Sequence, residues 1–502
     1  MKHNNITATL IILLTLSLST SLFASGVALT GIGARATALS GAYRGIANDW
    51  SAMYWNPAGL TNIQGMQFGF SSEILFLKGK YTAKSPIFGA LRAEEVENEG
   101  GTYIIPAGGF VWGTEKYALG ISVFAPFGLG AKWDLLNTSV YNSAYPEFDL
   151  EDDLKILDIH PSFAYKVSDN FSVGFGVSIM SNKIEVRKPA MIPNPYLNPA
   201  MANEPAFAAF YAGMNAYNAL DVPYDHIISE IDLEGDGMGF GANFGIMYKP
   251  SEDLSIGISG RYYMDQKLEG TINGELYFIN NPTVHQFIQD NGLPMIQYLQ
   301  GNGIIDASQA QMLQYLYSGG TTPIVVPNTK IEADMPLPMN IGIGFGYTGI
   351  ENLLLTFDVD WTQWSAWDVI PFTTPEGVEI GRLTEEWDDA IRIAAGLEYT
   401  MGLLKLRTAF YTEPATPPDK TMSPTIPEVN RRYVANVGFG YDLGFGTIHV
   451  SGEYMFIGDR TVDSWNMAYD EAGDPAGYDN MAGTYKMNIM TIMLGLDVNL
   501  SE

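Results

Sequence analysis

The chain has no cysteine among its 502 residues, so neither a disulfide framework nor a thiolate metal site can hold it together. Cations are scarce. The 27 Lys and Arg face 56 Asp and Glu, and the net charge of −29 excludes the basic surface that nucleic acid demands. Charged residues of both signs make up only 17% of the sequence, and no shift in composition marks a linker, so one large domain fits better than two or three soluble ones. Beyond the N-terminal segment there is no apolar run of about eighteen residues, so no helix is expected to cross a bilayer. Histidine is limited to five residues, and neither HExxH nor GxSxG occurs.

Glycine (53), tyrosine (28) and phenylalanine (25) are abundant instead. Residues 1–25 read as a cleaved secretory signal: Lys2 and His3, an apolar core from Leu10 to Leu18, then small residues at Ala24, Ser25 and Gly26. The stretch Gly31 to Leu60 follows, rich in Gly and Ala and ending in the turn Asn56-Pro57-Ala58-Gly59, where Pro57 fixes φ. Its small residues suit either a compact plug inside the rest of the molecule or an ordered N-terminal arm. The hatch is set at residues 26–62 and the remainder at 63–502.

From Gln64 onward the pattern has period two. Phe68, Phe70, Ile74 and Phe76 alternate with Gln67, Gly69, Ser71 and Glu73. Near the end Met490, Ile492, Leu494, Leu496 and Val498 alternate with Thr491, Gly495, Asp497 and Asn499. About fourteen such strands are expected, with connections alternating between short turns, such as Gly113 to Lys116 and Ser168 to Asn170, and long loops. A soluble sandwich also alternates, but short turns on one side and long loops on the other point to an all-β, antiparallel transmembrane β-barrel with a hatch in its lumen. The polar face then lines the lumen, with Arg261, Lys267, Asp358, Asp360, Arg392, Glu398, Lys405, Arg407, Arg432 and Glu453 inside, mainly as a salt-bridge network. Two long loops are expected near 187–237 and 276–328. The second carries helical signals at Thr283 to Asp290 and from Asp306, whose spacing to Gln309 suits a capping box.

Motifs for chemistry fail on context. Gly31-x-Gly33-x-x-Ala36 follows no strand of a βαβ unit. Asp232-x-Glu234-x-Asp236-Gly237 starts like a calcium loop, but Asn243 stands where the bidentate Glu belongs. His160 and His449 fall on lumen-facing positions, where wall hydrogen bonding outweighs a Ser/His hydrolase. No cofactor and no metal is implied.

Taken in order, the segments GARATALSGAYRGIANDWSAMYWNPAGL, FAPFGLGAKWD (124–134), HPSFAYKVSDNFSVGFGVSI (160–179), IEADMPLPMNIGIGFGY (331–347), DVDWTQWSAWD (358–368) and PDKTMSPTIPEVNRRYVANVGFGY (418–441) resemble the FadL/TodX family of outer-membrane transporters for hydrophobic compounds. The resemblance implies a fourteen-stranded barrel in the bacterial outer membrane, closed by an N-terminal hatch and acting without covalent chemistry. It further implies that long-chain fatty acids or aromatic hydrocarbons are caught between the long loops, on Phe207, Phe210, Tyr211, Phe287, Met312 and Leu316. They would pass to a lumen pocket at the N-terminal tip, Val27 and Leu29, beside the hatch motif Asn56, Pro57 and Ala58. Release would be sideways, through a gap at Phe124, Pro126 and Phe127, where Pro126 lacks the N–H a central strand needs. Arg187, Lys188 and Arg261 are the candidates for a ligand carboxylate. The expected partners are the ligand, outer-membrane lipid and lipopolysaccharide, with the protein as a monomer. The C-terminus, Asn499-Leu500-Ser501-Glu502, lacks the terminal aromatic of such barrels. Two rival readings stand beside this one, a structural or surface-recognition barrel without transport and a barrel lipase.

Overall fold

The computed structural model describes residues 28–29, 31–84, 91–136, 147–193, 226–277, 282–303, 324–469 and 475–500, with 305–307, 310, 311 and 314. The proposed signal at 1–25 lies outside them, as do Val27, Phe207, Phe210, Tyr211, Met312 and Leu316.

Fourteen antiparallel strands form a closed barrel. In chain order they are β1 (Gly65–Ala83), β2 (Gly101–Gly113), β3 (Tyr117–Trp133), β4 (Leu150–Ser168), β5 (Phe171–Pro193), β6 (His226–Tyr248) and β7 (Leu254–Tyr263, continued by Gln266–Tyr277). They continue with β8 (Ile324–Met335 and Asn340–Ile350), β9 (Leu353–Thr362 and Val369–Thr373), β10 (Glu379–Thr384 and Ala390–Met401), β11 (Leu404–Glu413), β12 (Arg432–Asp442), β13 (Gly446–Ile457 and Arg460–Val462) and β14 (Gly483–Leu500). Each strand pairs with its sequence neighbours. The barrel closes where β1 meets β14, in unbroken register from Met66↔Leu500 to Ala83↔Gly483. Closure leaves no sheet edge to satisfy in lipid.

Alternation decides which side faces what. On β1, Phe68 and Phe70 are exposed while Gln67, Ser71 and Glu73 are buried. Exposed Leu119, Ile159, Phe175, Phe240, Ile343, Ile393, Val437 and Leu494 continue the apolar band around the barrel. Exposed Trp112, Tyr117, Tyr165, Tyr248, Tyr347, Tyr399 and Tyr441 all stand within a few residues of the short turns. They form the aromatic girdle that marks one membrane interface.

Several strands are longer than the sequence pattern predicts. On β1 the same inward positions that carry Ser71 and Glu73 next carry Leu77 and Tyr81, while Lys78 faces out. On β5, Ile184 and Val186 are inside and Lys183 outside. Past the hydrocarbon layer the outer face meets water, so the polarity of the two faces exchanges while the strand runs on. The loop expected near 187–237 is correspondingly shorter, because β5 and β6 stay paired as far as Pro193↔His226. The helix expected at Thr283 to Asp290 is α3, Pro282–Gly301, and continues through Pro294. Near Asp306, the Ala310 N–H donates to the Asp306 carbonyl at 2.9 Å. Lys267 is exposed rather than in the lumen, because the break at Met264 and Asp265 shifts the alternation by one residue. Of the other lumen candidates, Lys405 is half-buried and the rest are buried.

Candidate functional site

Residues 31–63 fill the short-turn half of the lumen. Two short helices, α1 (Ala34–Ala38) and α2 (Ala52–Trp55), flank a turn at Ser40 and Gly41, and a 3-10 turn, Pro57–Asn62, ends the segment. One face is apolar: Trp50, Met53, Tyr54 and Leu60 pack with Ala107, Val111, Ala118, Phe124 and Ala164 of β2–β4.

The opposite face is ionic. Arg44, 1% exposed, places Nη1 3.3 Å from Asp358 and 3.2 Å from Asp360, and Nη2 donates to Asn340 at 2.8 Å. Its Nε donates to Ser259 at 3.1 Å, so one side chain ties the hatch to β7, β8 and β9. Arg35 grips both oxygens of Glu398 on β10 at 2.9 and 3.0 Å, a bidentate geometry. Glu398 also accepts from Arg407, and Arg407 donates to His449 Nδ1, leaving Nε2–H for Asp497 at 3.1 Å. Beneath the hatch a cavity of about 440 Å³ opens towards the short turns, lined by Arg35, Ile46, Asn62, Met247, Ser255 and Glu398 among others.

Asn56, Pro57 and Ala58 lie together against β5–β7. Asn56 Oδ1 accepts from the Ala58 N–H, and its Nδ2 donates to the carbonyls of Arg44 and Ile246. This fit needs bare backbone on the wall. A Cβ at Gly245 would stand 2.0 Å from Asn56 Oδ1, and one at Gly257 would stand 2.0 Å from the Arg44 carbonyl.

The N-terminal arm meets the wall at β3. The Leu29 N–H donates to the Pro126 carbonyl at 2.9 Å, and Ala28 bridges Phe127 in antiparallel fashion. The β3–β4 register shifts between Phe124 and Phe127, leaving Ala125 and Pro126 out of the ladder. Phe124 and Phe127 are buried, Phe124 edge-on to Tyr54 at 5.3 Å and Phe127 edge-on to Tyr263 at 5.5 Å. Leu29 and the three residues named for the gap are thus in one place.

The basic candidates are not. Arg187 is half-buried on the outward side of β5 and paired with Glu151, Glu230 and Asp232. Lys188 is buried on the inward side of β5. Arg261 is buried 3.6 Å from the centre of the Tyr54 ring. Of Phe287, only its position on α3 is described.

Each candidate histidine has polar partners. His160 Nδ1 lies 3.1 Å from Ser178 Oγ and 3.4 Å from Asp158, while Nε2 faces Asn243. Serine and acid approach the same ring nitrogen, so they cannot form a relay through the imidazole.

A second closure was not foreseen. Residues 421–429, Thr-Met-Ser-Pro-Thr-Ile-Pro-Glu-Val, are all buried. Met422, Ile426 and Val429 join Leu77, Tyr81, Trp133, Leu150, Val434, Tyr485 and Met487 from strands around the barrel. The Met422 carbonyl accepts from the Met481 N–H and the Tyr485 hydroxyl. Two prolines inside an apolar run, Pro424 and Pro427, are the sequence signal for an ordered, non-repeating segment.

The profile of the family described as outer membrane protein transport protein (OMPP1/FadL/TodX) matches residues 15–499. A long-chain fatty acid transport protein of Escherichia coli O6:H1 is 23% identical over 426 residues, 83% of this chain and 84% of that one. The crystal structure of a Pseudomonas aeruginosa FadL homologue superposes with a TM-score of 0.68 at 18% identity, covering 96% of this chain and all of that one. The toluene transporter TodX of Pseudomonas putida gives 0.65 at 14% identity, covering 94% of this chain and 100% of its own. These two structures share the fold.

Proposed function

The chain belongs to the OMPP1/FadL/TodX family of outer-membrane transport proteins, and on that premise we propose that it carries hydrophobic small molecules inward by passive diffusion, with lateral release. Long-chain fatty acids and aromatic hydrocarbons are the candidate classes. The ligand passes from the long loops to a lumen pocket at the N-terminal arm, then leaves through the wall beside β3. An apolar solute gains about 25 cal/mol per Å² on entering a dry pocket. Sideways exit into lipid avoids giving that gain back to water.

The observation that carries this reading is the union of arm and bulge: Leu29 bonded to Pro126, and Ala28 bridged to Phe127, where β3 leaves its register with β4. A bulged step lacks the ladder bonds that would otherwise seal two strands. The arm covers that step from inside, so its displacement opens both pocket and wall.

A chain without cysteine permits a clean test. Ala28→Cys with Phe127→Cys, oxidised in intact cells, locks the arm onto β3. Uptake of labelled oleate and of toluene is expected to stop in the oxidised form and return on reduction. Undiminished uptake through the locked protein would overturn the route.

A further inference from the structure

Asp158 has no part in the clamp, the hatch motif or the arm contact. It stands on β4 directly opposite Phe124 of β3, at the edge of the irregular step, and directly opposite Met180 of β5. The residue is fully buried, and among the described residues neither carboxylate oxygen has a hydrogen-bond partner. Its neighbour His160 does not relieve this. Among the described residues the partner of His160 Nε2 is the Asn243 carbonyl oxygen, because the Asn243 amide nitrogen donates to Met53. In the neutral ring that assigns the proton to Nε2, so Nδ1 accepts from the Ser178 hydroxyl. Asp158 Oδ2, 3.4 Å from Nδ1, therefore meets an acceptor. A buried carboxylate with no donor is among the least favourable groups a protein can hold, so its retention points to a donor that arrives from elsewhere.

The surroundings suit an amphiphile. Leu154 and Ile156 lie on the same inward side of β4, and Met180 and Ile184 on that of β5, all buried. Phe124 and Phe127 flank the step, and Phe127 is pinned by the bridge to Ala28. Arg261, the lumen cation on β7, is already stacked on Tyr54. We propose that Asp158 is the head-group acceptor of the lumen pocket, uncovered when the arm and Phe127 move, and that it selects apolar molecules bearing a hydroxyl or ammonium donor over carboxylates. This class differs from the fatty acids and aromatic hydrocarbons named above, but the inference rests on the same lumen route. An ammonium head can donate to both oxygens and a hydroxyl to one of them, whereas a carboxylate placed there sets two like charges together in a dry site.

The test is competition for a fluorescent alkyl probe on the full-length protein held in amphipol, with dodecanol, dodecylammonium, dodecanoate and dodecane as competitors. Dodecanol and dodecylammonium are expected to bind about 10- to 100-fold tighter than dodecanoate, the range that charge-assisted hydrogen bonds supply. Asp158→Asn keeps the size and removes the charge. It should cut the dodecylammonium-to-dodecanoate ratio at least about tenfold and leave dodecane unchanged. The ratio in the native protein alone decides the matter if the variant fails to assemble. Dodecanoate binding as tightly as the donors, or a ratio unmoved in the variant, overturns the role of Asp158 and leaves the pocket standing. Failure of all four competitors, dodecane included, removes the pocket and the inference together.

Discussion

On the short-turn side the hatch meets the wall through Arg35, Arg44 and Asn56, whereas on the loop side residues 421–429 meet it through Met422, Ile426 and Val429. The same strands serve both closures and present opposite chemistry to them. β14 offers Thr491 and Asp497 to the lower lumen but Tyr485, Met487 and Ile489 to the upper. Lipid forces the lower half of each strand to be apolar outside, which leaves the inside free for charge. Water on the outer side removes that constraint, so the upper half can turn its apolar residues inward. Directional, ionic contacts fix one face of the hatch, while residues 421–429 are held mainly by buried apolar side chains, with polar ties at Thr421, Met422 and Glu428.

The contrast breaks most visibly at Arg44. Arg44→Met removes the guanidinium, leaving Asp358 buried without its cation and Asp360 with only Arg392 at 3.6 Å, a change that costs about 3–5 kcal/mol. The expected result is a large fall in the melting temperature of the detergent-solubilised barrel and early proteolysis within residues 31–63. Adding Asp358→Asn should restore part of the loss. No recovery would mean that Arg44 acts through packing on Trp55 rather than through charge.

Next in size is Ile426→Ala. The residue is fully buried among side chains from β1, β12 and β14, and such truncations cost about 2–4 kcal/mol. Hydrogen exchange should rise in residues 414–431 and stay unchanged in the hatch. Equal loss of protection in both segments would show that the two closures are one cooperative unit.

The exchange of polarity also sets what was legible in the sequence. The strand number and most of the inward charges follow from turn residues and period two, with Lys267 on the outside and Lys405 half-buried as the departures. The alternation read over Phe68 to Phe76 does not mark the end of β1, which runs on to Ala83, because the apolar stripe changes sides near that point. A periodicity argument assumes one solvent per face, and these strands have two. Arg187 and Lys188 illustrate the same difficulty: adjacent residues on a strand, they point to opposite sides and keep different company. The partners of Arg44 come from Ser259, Asn340, Asp358 and Asp360, positions that only the closed barrel brings together.

Acidity should distinguish the closures more gently. Asp149 accepts from the N–H groups of Leu135 and Leu136, yet burial outweighs these bonds and raises its carboxyl to about 7. Burial likewise raises Asp479 to about 7, against the pull of Lys188 and Lys420. Both values lie above the unfolded value of about 4, so the folded state holds the proton more tightly. The stabilisation is fully present below about pH 4 and is lost as pH rises towards 7. Amides of residues 421–429 should therefore be better protected at pH 5 than at pH 8, after correction for intrinsic exchange. Greater protection at pH 8 would contradict the burial argument.

The smallest effect is expected outside the lumen. Glu95 bridges Lys80 and Lys486 at 2.7 Å each, joining the strands on either side of the barrel seam. The two lysine contacts hold its carboxyl down to about 2, so it stays ionised at any ordinary pH. Solvent exposure screens the charges and leaves long side chains free to separate, which is why such pairs contribute little. Glu95→Gln should leave the melting temperature unresolved from that of the native protein, at low and high salt alike. A clear destabilisation that disappears in salt would mean that the β1–β14 seam depends on this outer bridge. The two-closure account would then need a third, external support, because eighteen consecutive register pairs along that seam would not be holding it alone.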